Sequence, residues 1–202
     1  ELAKACARSG FDLLIVADEP RIHEAAIAIR ALGAKVESIE ADLSYPQGVD
    51  QVLLALGDRP VAALLANAAT GLGDAFLAQD FVDVRRIIAT NVTETLYLIH
   101  AVGERMTAQG EGRILITGSI AGFTPGPFNA VYNASKAFID SFSWALRNEL
   151  TGSGITVTCL MPGATETQFF RRARLLDTKL GQARKDDPAE VAEIGFQAMM
   201  RG

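Results

Sequence analysis

Tyr132 and Lys136, with Ser119 thirteen residues before the tyrosine, are the residues of this 202-residue sequence best suited to chemistry. Tyr and Lys four apart on a helix project from one face. An ammonium held beside a phenol lowers its pKa from about 10, so that the tyrosine trades a proton near neutral pH. A serine hydroxyl delivered from an adjacent strand tip hydrogen-bonds a carbonyl oxygen and polarises it. Asn91 is a fourth candidate. It falls inside a helical pattern, where Asn is a poor choice unless its side chain bonds elsewhere, for example by holding a water beside Lys136. A Tyr-x-x-x-Lys pair alone arises often by chance as surface decoration; the serine at that offset, on a strand tip, argues otherwise.

Those residues need a scaffold, and hydrophobic periodicity supplies one. Apolar, β-branched runs at Phe11–Ala17, Ala34–Ile39, Val61–Ala66, Arg113–Thr117 and Ile155–Leu160 suit strands buried on both faces of a parallel sheet. Helical patterns lie between and after them at Pro20–Leu32, Gln47–Leu56, Phe81–Ala108, Tyr132–Leu150 and Pro188–Met200. Ahead of the first strand, Ala3, Ala5, Cys6 and Ala7 read as the last turns of a helix closed by Gly10. The expected fold class is α/β, a doubly wound parallel sheet of Rossmann type in one domain spanning 1–202.

Ligands in such a sheet sit outside the carboxyl ends of the strands. Asp18 and Glu19 follow the first strand; Asp18 can accept hydrogen bonds from adenosine ribose hydroxyls, or the pair simply begins a solvated turn. Asp42 and Leu43 follow the second, where the aspartate caps the next helix or meets an adenine amino group. Asn67 and Ala68 follow the third, small enough for a cofactor to approach the backbone closely.

Composition limits the alternatives. With 49% hydrophobic and 21% charged residues, the chain is globular, and no apolar run reaches the length of a membrane helix. A formal charge of −5 disfavours a nucleic-acid groove. Cys6 and Cys159 lack metal or CxxC spacing and read as reduced thiols of a cytoplasmic protein. His23 and His100 lie in helical stretches without metal partners.

Together these motifs resemble the short-chain dehydrogenase/reductase family along essentially the whole chain. Tyr132 and Lys136 match its Tyr-x-x-x-Lys motif, Ser119 its serine and Asn91 its helix asparagine. Ala66-Asn67-Ala68-Ala69 is an altered Asn-Asn-Ala-Gly motif, Pro162-Gly163 the Pro-Gly motif, and Thr167, with Thr165 nearby, the threonine after it. The resemblance implies hydride transfer between a nicotinamide cofactor and a small alcohol or carbonyl substrate. In it Tyr132 is the general acid or base, Lys136 tunes it and binds the nicotinamide ribose, Ser119 steadies the alkoxide and Asn91 organises a water. Asp18 and Glu19 favour NAD(H) without excluding NADP(H). Phe123, Pro125, Pro127, Phe128, Phe169 and Phe170 suggest a partly apolar substrate; Arg171, Arg172 and Arg174 either meet an acidic group or, the preferred reading, form a solvated helix face. The apolar residues Leu96, Ile99 and Val102, with Phe138, Phe142, Trp144 and Leu146, can pack on the sheet, and the resemblance implies that this pair of helices also builds a homodimer or homotetramer. The family's first strand and glycine-rich turn have no match, so the sequence reads as truncated at its N-terminus and, by a short strand, at its C-terminus. The resemblance makes that first strand central in the sheet, so a cleft lined by unpaired backbone groups is expected in its place. The alternative readings are an inert fragment and a non-enzymatic nucleotide-binding regulator on the same fold.

Overall fold

A computed structural model describes residues 1–202. Five parallel strands alternate with helices: β1 (Leu13–Ala17), β2 (Val36–Glu40), β3 (Ala63–Ala66), β4 (Gly112–Thr117) and β5 (Ile155–Leu160). The helices are α1 (Leu2–Arg8), α2 (Arg21–Arg30), α3 (Pro46–Leu56), α4 (Phe81–Ile88), α5 (Glu94–Gln109), α6 (Ala130–Glu149), α7 (Phe169–Arg172), α8 (Lys179–Gln182) and α9 (Pro188–Arg201). Boundary residues behave as their chemistry dictates. Asp187 caps α9 by accepting from Ala189 N–H, with Pro188 in the first turn, where a missing N–H costs nothing. Gly33 follows α2 at φ +98°, a conformation side-chain-bearing residues rarely adopt.

β4 is the middle of its sheet, and its side chains alternate between two cores. Ile114 and Ile116 pack with Leu98, Val102 and Met106 of α5, Ile139 of α6 and Val157 of β5. Leu115, on the other face, packs with Ala5 and Cys6 of α1 and Phe196 and Met199 of α9. Nothing in the chain is a helix long and apolar enough to cross a membrane.

Three features bear on the sequence-based expectation, the first answering to the cleft expected where the family's first strand has no match, the second departing from the expected helix. The strands form two sheets, β1-β2 and β3-β4-β5, with no hydrogen-bonded pairing between β1 and β3. β1, and β3 apart from Ala66, are consequently only half-buried, not covered on both faces, and border a common cleft. Second, the long helix expected over Phe81–Ala108 is broken into α4 and α5 by a π-turn at Ala89–Thr93. An inserted residue of this kind re-aims a side chain, here Asn91, into the interior. Third, Ile99 and Val102, with Phe142 and Leu146, are taken into or against the core, so that the apolar surface left on this pair of helices is Tyr97, Phe138 and Trp144.

Candidate active site

The carboxyl ends of the strands open onto one cavity of about 2700 Å³. Asp18, Asp42, Leu43, Asn67, Ala68, Ser119, Tyr132, Lys136, Pro162, Gly163, Thr165 and Thr167 all line it; Asn91 alone among the sequence candidates lies behind the wall.

The chemical end is built by β4 and α6. Ser119 starts a 3₁₀ turn at Ile120–Phe123, its hydroxyl accepting from Ala121 N–H at 3.1 Å. One turn of α6 separates Tyr132 from Lys136. The lysine is buried, its Nζ donates to the carbonyl oxygen of Thr117 at 2.7 Å, and it lies 5.8 Å from the centre of the Tyr132 ring. Burial pushes Lys136 down to about 8, against the pull of Asp140 and Cys159. Burial also pushes the Tyr132 phenol above its ordinary value; the Ser119 hydroxyl lowers it and Asp140 raises it further. The expected lowering of Tyr132 by the ammonium is therefore not what the geometry gives. Desolvation dominates, and the ammonium's hydrogen bond goes to a backbone carbonyl.

Both amide protons of the buried Asn91 are committed. Its carboxamide donates to Thr70 O at 2.8 Å and to Ser135 Oγ at 2.9 Å, and accepts from Thr70 N–H at 2.8 Å. Ser135 in turn donates to the Tyr132 carbonyl at 2.7 Å. The side chain thereby ties the Thr70 loop to the turn of helix that carries Tyr132.

At the far end, Arg86 of α4 spans Asp42 at 2.9 Å and Asp18 at 3.3 Å. Arg172 of α7, itself exposed, reaches Glu19 at 2.6 Å and Asp18 at 3.6 Å. Asp42 also accepts from Ser44 N–H, so it caps a turn and not α3 itself. Asn67 accepts from Thr117 Oγ1 at 3.0 Å, Thr165 donates to Gly163 O, and Thr167 accepts from Phe169 N–H, leaving its own proton free. Phe169 lies against Tyr132, ring centres 4.9 Å apart, and forms the apolar wall of the site.

Several contributors escaped the sequence reading. Asn133, between Tyr132 and Lys136, donates to the carbonyls of Ala121 and Thr124 and pins the loop facing the tyrosine. Asp140 and Arg86 were also missed. A polar residue four after Lys136 on the helix face was the available signal for the first; nothing local marked Arg86, whose partners lie 44 and 68 residues away.

Comparison with known proteins decides the family. The model of the short chain dehydrogenase family matches residues 1–176. The chain belongs to that family. It is 40% identical to a sulfoacetaldehyde reductase of Chromohalobacter salexigens over 138 residues, 66% of this chain and 54% of that protein. Among solved structures, a short-chain dehydrogenase from Sphingobium yanoikuyae in complex with NADPH is 32% identical. It superposes with a TM-score of 0.90 over 98% of this chain and 78% of its own. An alcohol dehydrogenase from Comamonas testosteroni specific for bulky-bulky ketones is 30% identical, with a TM-score of 0.83 over 96% and 76%. Oxidoreductase membership and the Rossmann-like fold of the short-chain dehydrogenases are thereby shown.

Proposed function

We propose that the chain carries the site of a nicotinamide-dependent reductase or dehydrogenase acting on a small carbonyl or alcohol, with Tyr132 as the proton donor or acceptor. The observation that carries this reading is the convergence of Ser119, Tyr132 and a buried Lys136 at one end of a large cavity. The cavity's polar groups fit a dinucleotide. Asp18 suits ribose hydroxyls, Asp42 and Leu43 an adenine edge, Asn67 and Ala68 the adjoining sugar. Lys136 suits the nicotinamide ribose, and Pro162, Gly163, Thr165 and Thr167 the carboxamide and diphosphate. That cofactor supplies or accepts the hydride when bound.

The protein's share is protonic and electrostatic. Tyr132, whose phenol burial raises further, carries its proton at neutral pH and can give it to a carbonyl oxygen. Ser119 donates to the same oxygen as negative charge develops there. Lys136 keeps an ammonium next to the phenol below about pH 8 and so favours the phenolate left behind. Asn91 holds the Tyr132 turn in place through Ser135. Phe169 excludes water from the phenol and favours apolar substituents.

Asp18 supports NAD(H), whereas Arg86 and Arg172 beside it offset the repulsion of a 2′-phosphate and support NADP(H) as well. Exposed Phe138 and Trp144 support a homodimer or homotetramer through α5 and α6, which sedimentation velocity tests.

The experiment is a fluorescence titration of the full-length protein with NADH and NADPH. Turnover follows with three probes: a diaryl ketone, a short aliphatic ketone and sulfoacetaldehyde. Tyr132→Phe binds nucleotide as the wild type does and loses turnover by at least about a thousandfold. Comparable turnover in that variant removes Tyr132 from the mechanism.

A further inference from the structure

Asp140 stands outside these assignments, and its surroundings single it out. It is 4% exposed and lies one turn beyond Lys136 and two beyond Tyr132, on the same face of α6. Its Oδ1 accepts from Ser119 N–H at 3.2 Å and from the Cys159 thiol of β5 at 3.6 Å. Its Oδ2 is buried and meets no donor. A buried carboxyl with one oxygen unpartnered is destabilising, so its presence is better explained by what it holds than by what it adds to stability.

The backbone around Ser119 is shaped to admit it. A Cβ on Gly118 would lie 1.8 Å from Oδ1, and one on Gly122 would lie 2.3 Å from Oδ2. Lys136 meanwhile holds the carbonyl of Thr117 at 2.7 Å. Helix α6 thus grips the Thr117-Gly118-Ser119 strand end at both sides, ammonium on the carbonyl and carboxyl on the amide. The strand end cannot slide along the helix without breaking one of the two bonds.

We propose that Asp140 is a positioning residue for the reaction: through the Ser119 amide it fixes where the Ser119 hydroxyl stands relative to Tyr132. The inference rests on the reading of Ser119 as the hydroxyl that faces the substrate oxygen. Displacing a reacting group by an ångström can cost on the order of a hundredfold, so a loosened Ser119 shows mainly in kcat.

A double-mutant cycle on the full-length protein tests it, using whichever of the three carbonyl probes the wild type reduces. Asp140→Ala lowers kcat by about tenfold or more while the KM for nucleotide stays within about twofold. In a Ser119→Ala background the same substitution costs less than about twofold, because its effect runs through the removed hydroxyl. An equal cost in both backgrounds overturns the proposal. No effect of Ser119→Ala by itself overturns the reading of Ser119 instead. Asp140→Asn keeps an acceptor for the Ser119 amide and stays within about threefold of wild type; a folded Asp140→Asn as impaired as Ser119→Ala overturns the proposal. Hydrogen exchange gives an arm that needs no turnover. The Ser119 amide is protected in the wild type and loses protection in Asp140→Ala relative to neighbouring β4 amides, and unchanged protection also overturns the proposal.

Discussion

Replacing Lys136 by Met separates two consequences of burying a charge, and the two have opposite signs with pH. Lys136 is 3% exposed, and burial lowers it from 10.5 to about 8. At about 1.4 kcal/mol for each tenfold change in the proton equilibrium, this corresponds to a penalty of about 3 kcal/mol carried by the folded state below pH 8. The sign follows from proton counting. Between about pH 8 and 10.5 the unfolded chain keeps the lysine proton and the folded chain has released it, so this group makes stability rise with pH. Activity moves the other way, because the ammonium beside Tyr132 is lost over the same interval. Other groups also titrate there. Cys6, raised by burial to about 11, and Cys159, also raised, work against stability above pH 9, so the wild-type curve alone is ambiguous. Subtracting the Lys136→Met curve cancels Cys6, and cancels Cys159, which interacts with Lys136, as long as the folded thiol stays protonated. The Thr117 hydrogen bond lost in the variant shifts its stability by a pH-independent amount. Urea denaturation of both proteins at about pH 7, 8 and 9 therefore gives a wild-type-minus-variant difference that rises by about 1 kcal/mol over that span. The wild type's turnover falls above about pH 8. Parallel stability curves would show that Lys136 titrates as an ordinary exposed lysine, and the electrostatic role given to it would be withdrawn.

Arg86→Ala releases Asp18 and Asp42 from their shared cation, so the preference for NADH over NADPH rises by about threefold or more in fluorescence titrations. An unchanged ratio removes Arg86 from cofactor discrimination. Asn91→Ala strands the Thr70 amide and carbonyl and the Ser135 hydroxyl, and lowers unfolding free energy by about 2–4 kcal/mol in urea, with reduced turnover in what remains folded. A loss below about 1 kcal/mol would mean that water replaces the carboxamide freely.

The legible part of the molecule was its periodic part. β5 falls on the residues expected, and the other strands begin or end within two residues of the runs read from apolar periodicity. Ser119, Tyr132 and Lys136 are brought to one cavity because strand tip and following helix are local in sequence. What the sequence did not show depends on three-dimensional neighbours. The π-turn at Ala89–Thr93 leaves no break in hydrophobic pattern, only an asparagine where a helix former belongs. The raised Tyr132 follows from desolvation, which outweighs the Ser119 hydrogen bond, and residue spacing carries no information about desolvation. The role of Arg172 depends on how α7 folds back toward Glu19, which no local pattern encodes.

The two halves of the site are held by different kinds of force. Ser119 sits just past the end of β4, and Tyr132, Lys136 and Asp140 on α6; the packing of these two elements is the largest apolar cluster of the molecule. Their relative positions are therefore fixed by close packing, which tolerates little displacement. Asp18 and Asp42 sit at the ends of β1 and β2, which share no hydrogen-bonded pairing with the other sheet. On one side the β1-β2 sheet is joined to the rest through α1, whose Cys6 packs with Leu115, Phe196 and Met199, and through Phe11 edge-on to Phe196. At the cavity mouth the connection is Arg86, reaching from α4 to both carboxylates, joined by Arg172 on α7. Such half-exposed ion pairs contribute little apiece and weaken with salt. The geometry that governs proton transfer is thus built into the core, while the adenosine end is set by apolar contacts on one side and a few solvent-screened charges on the other. A ligand that touches both ends adds its binding energy directly to the cohesion of the two sheets. For that reason the chemistry assigned to Tyr132 and the nucleotide preference assigned to Asp18 and Arg86 are separable by mutation, the first through β4 and α6, the second through α4.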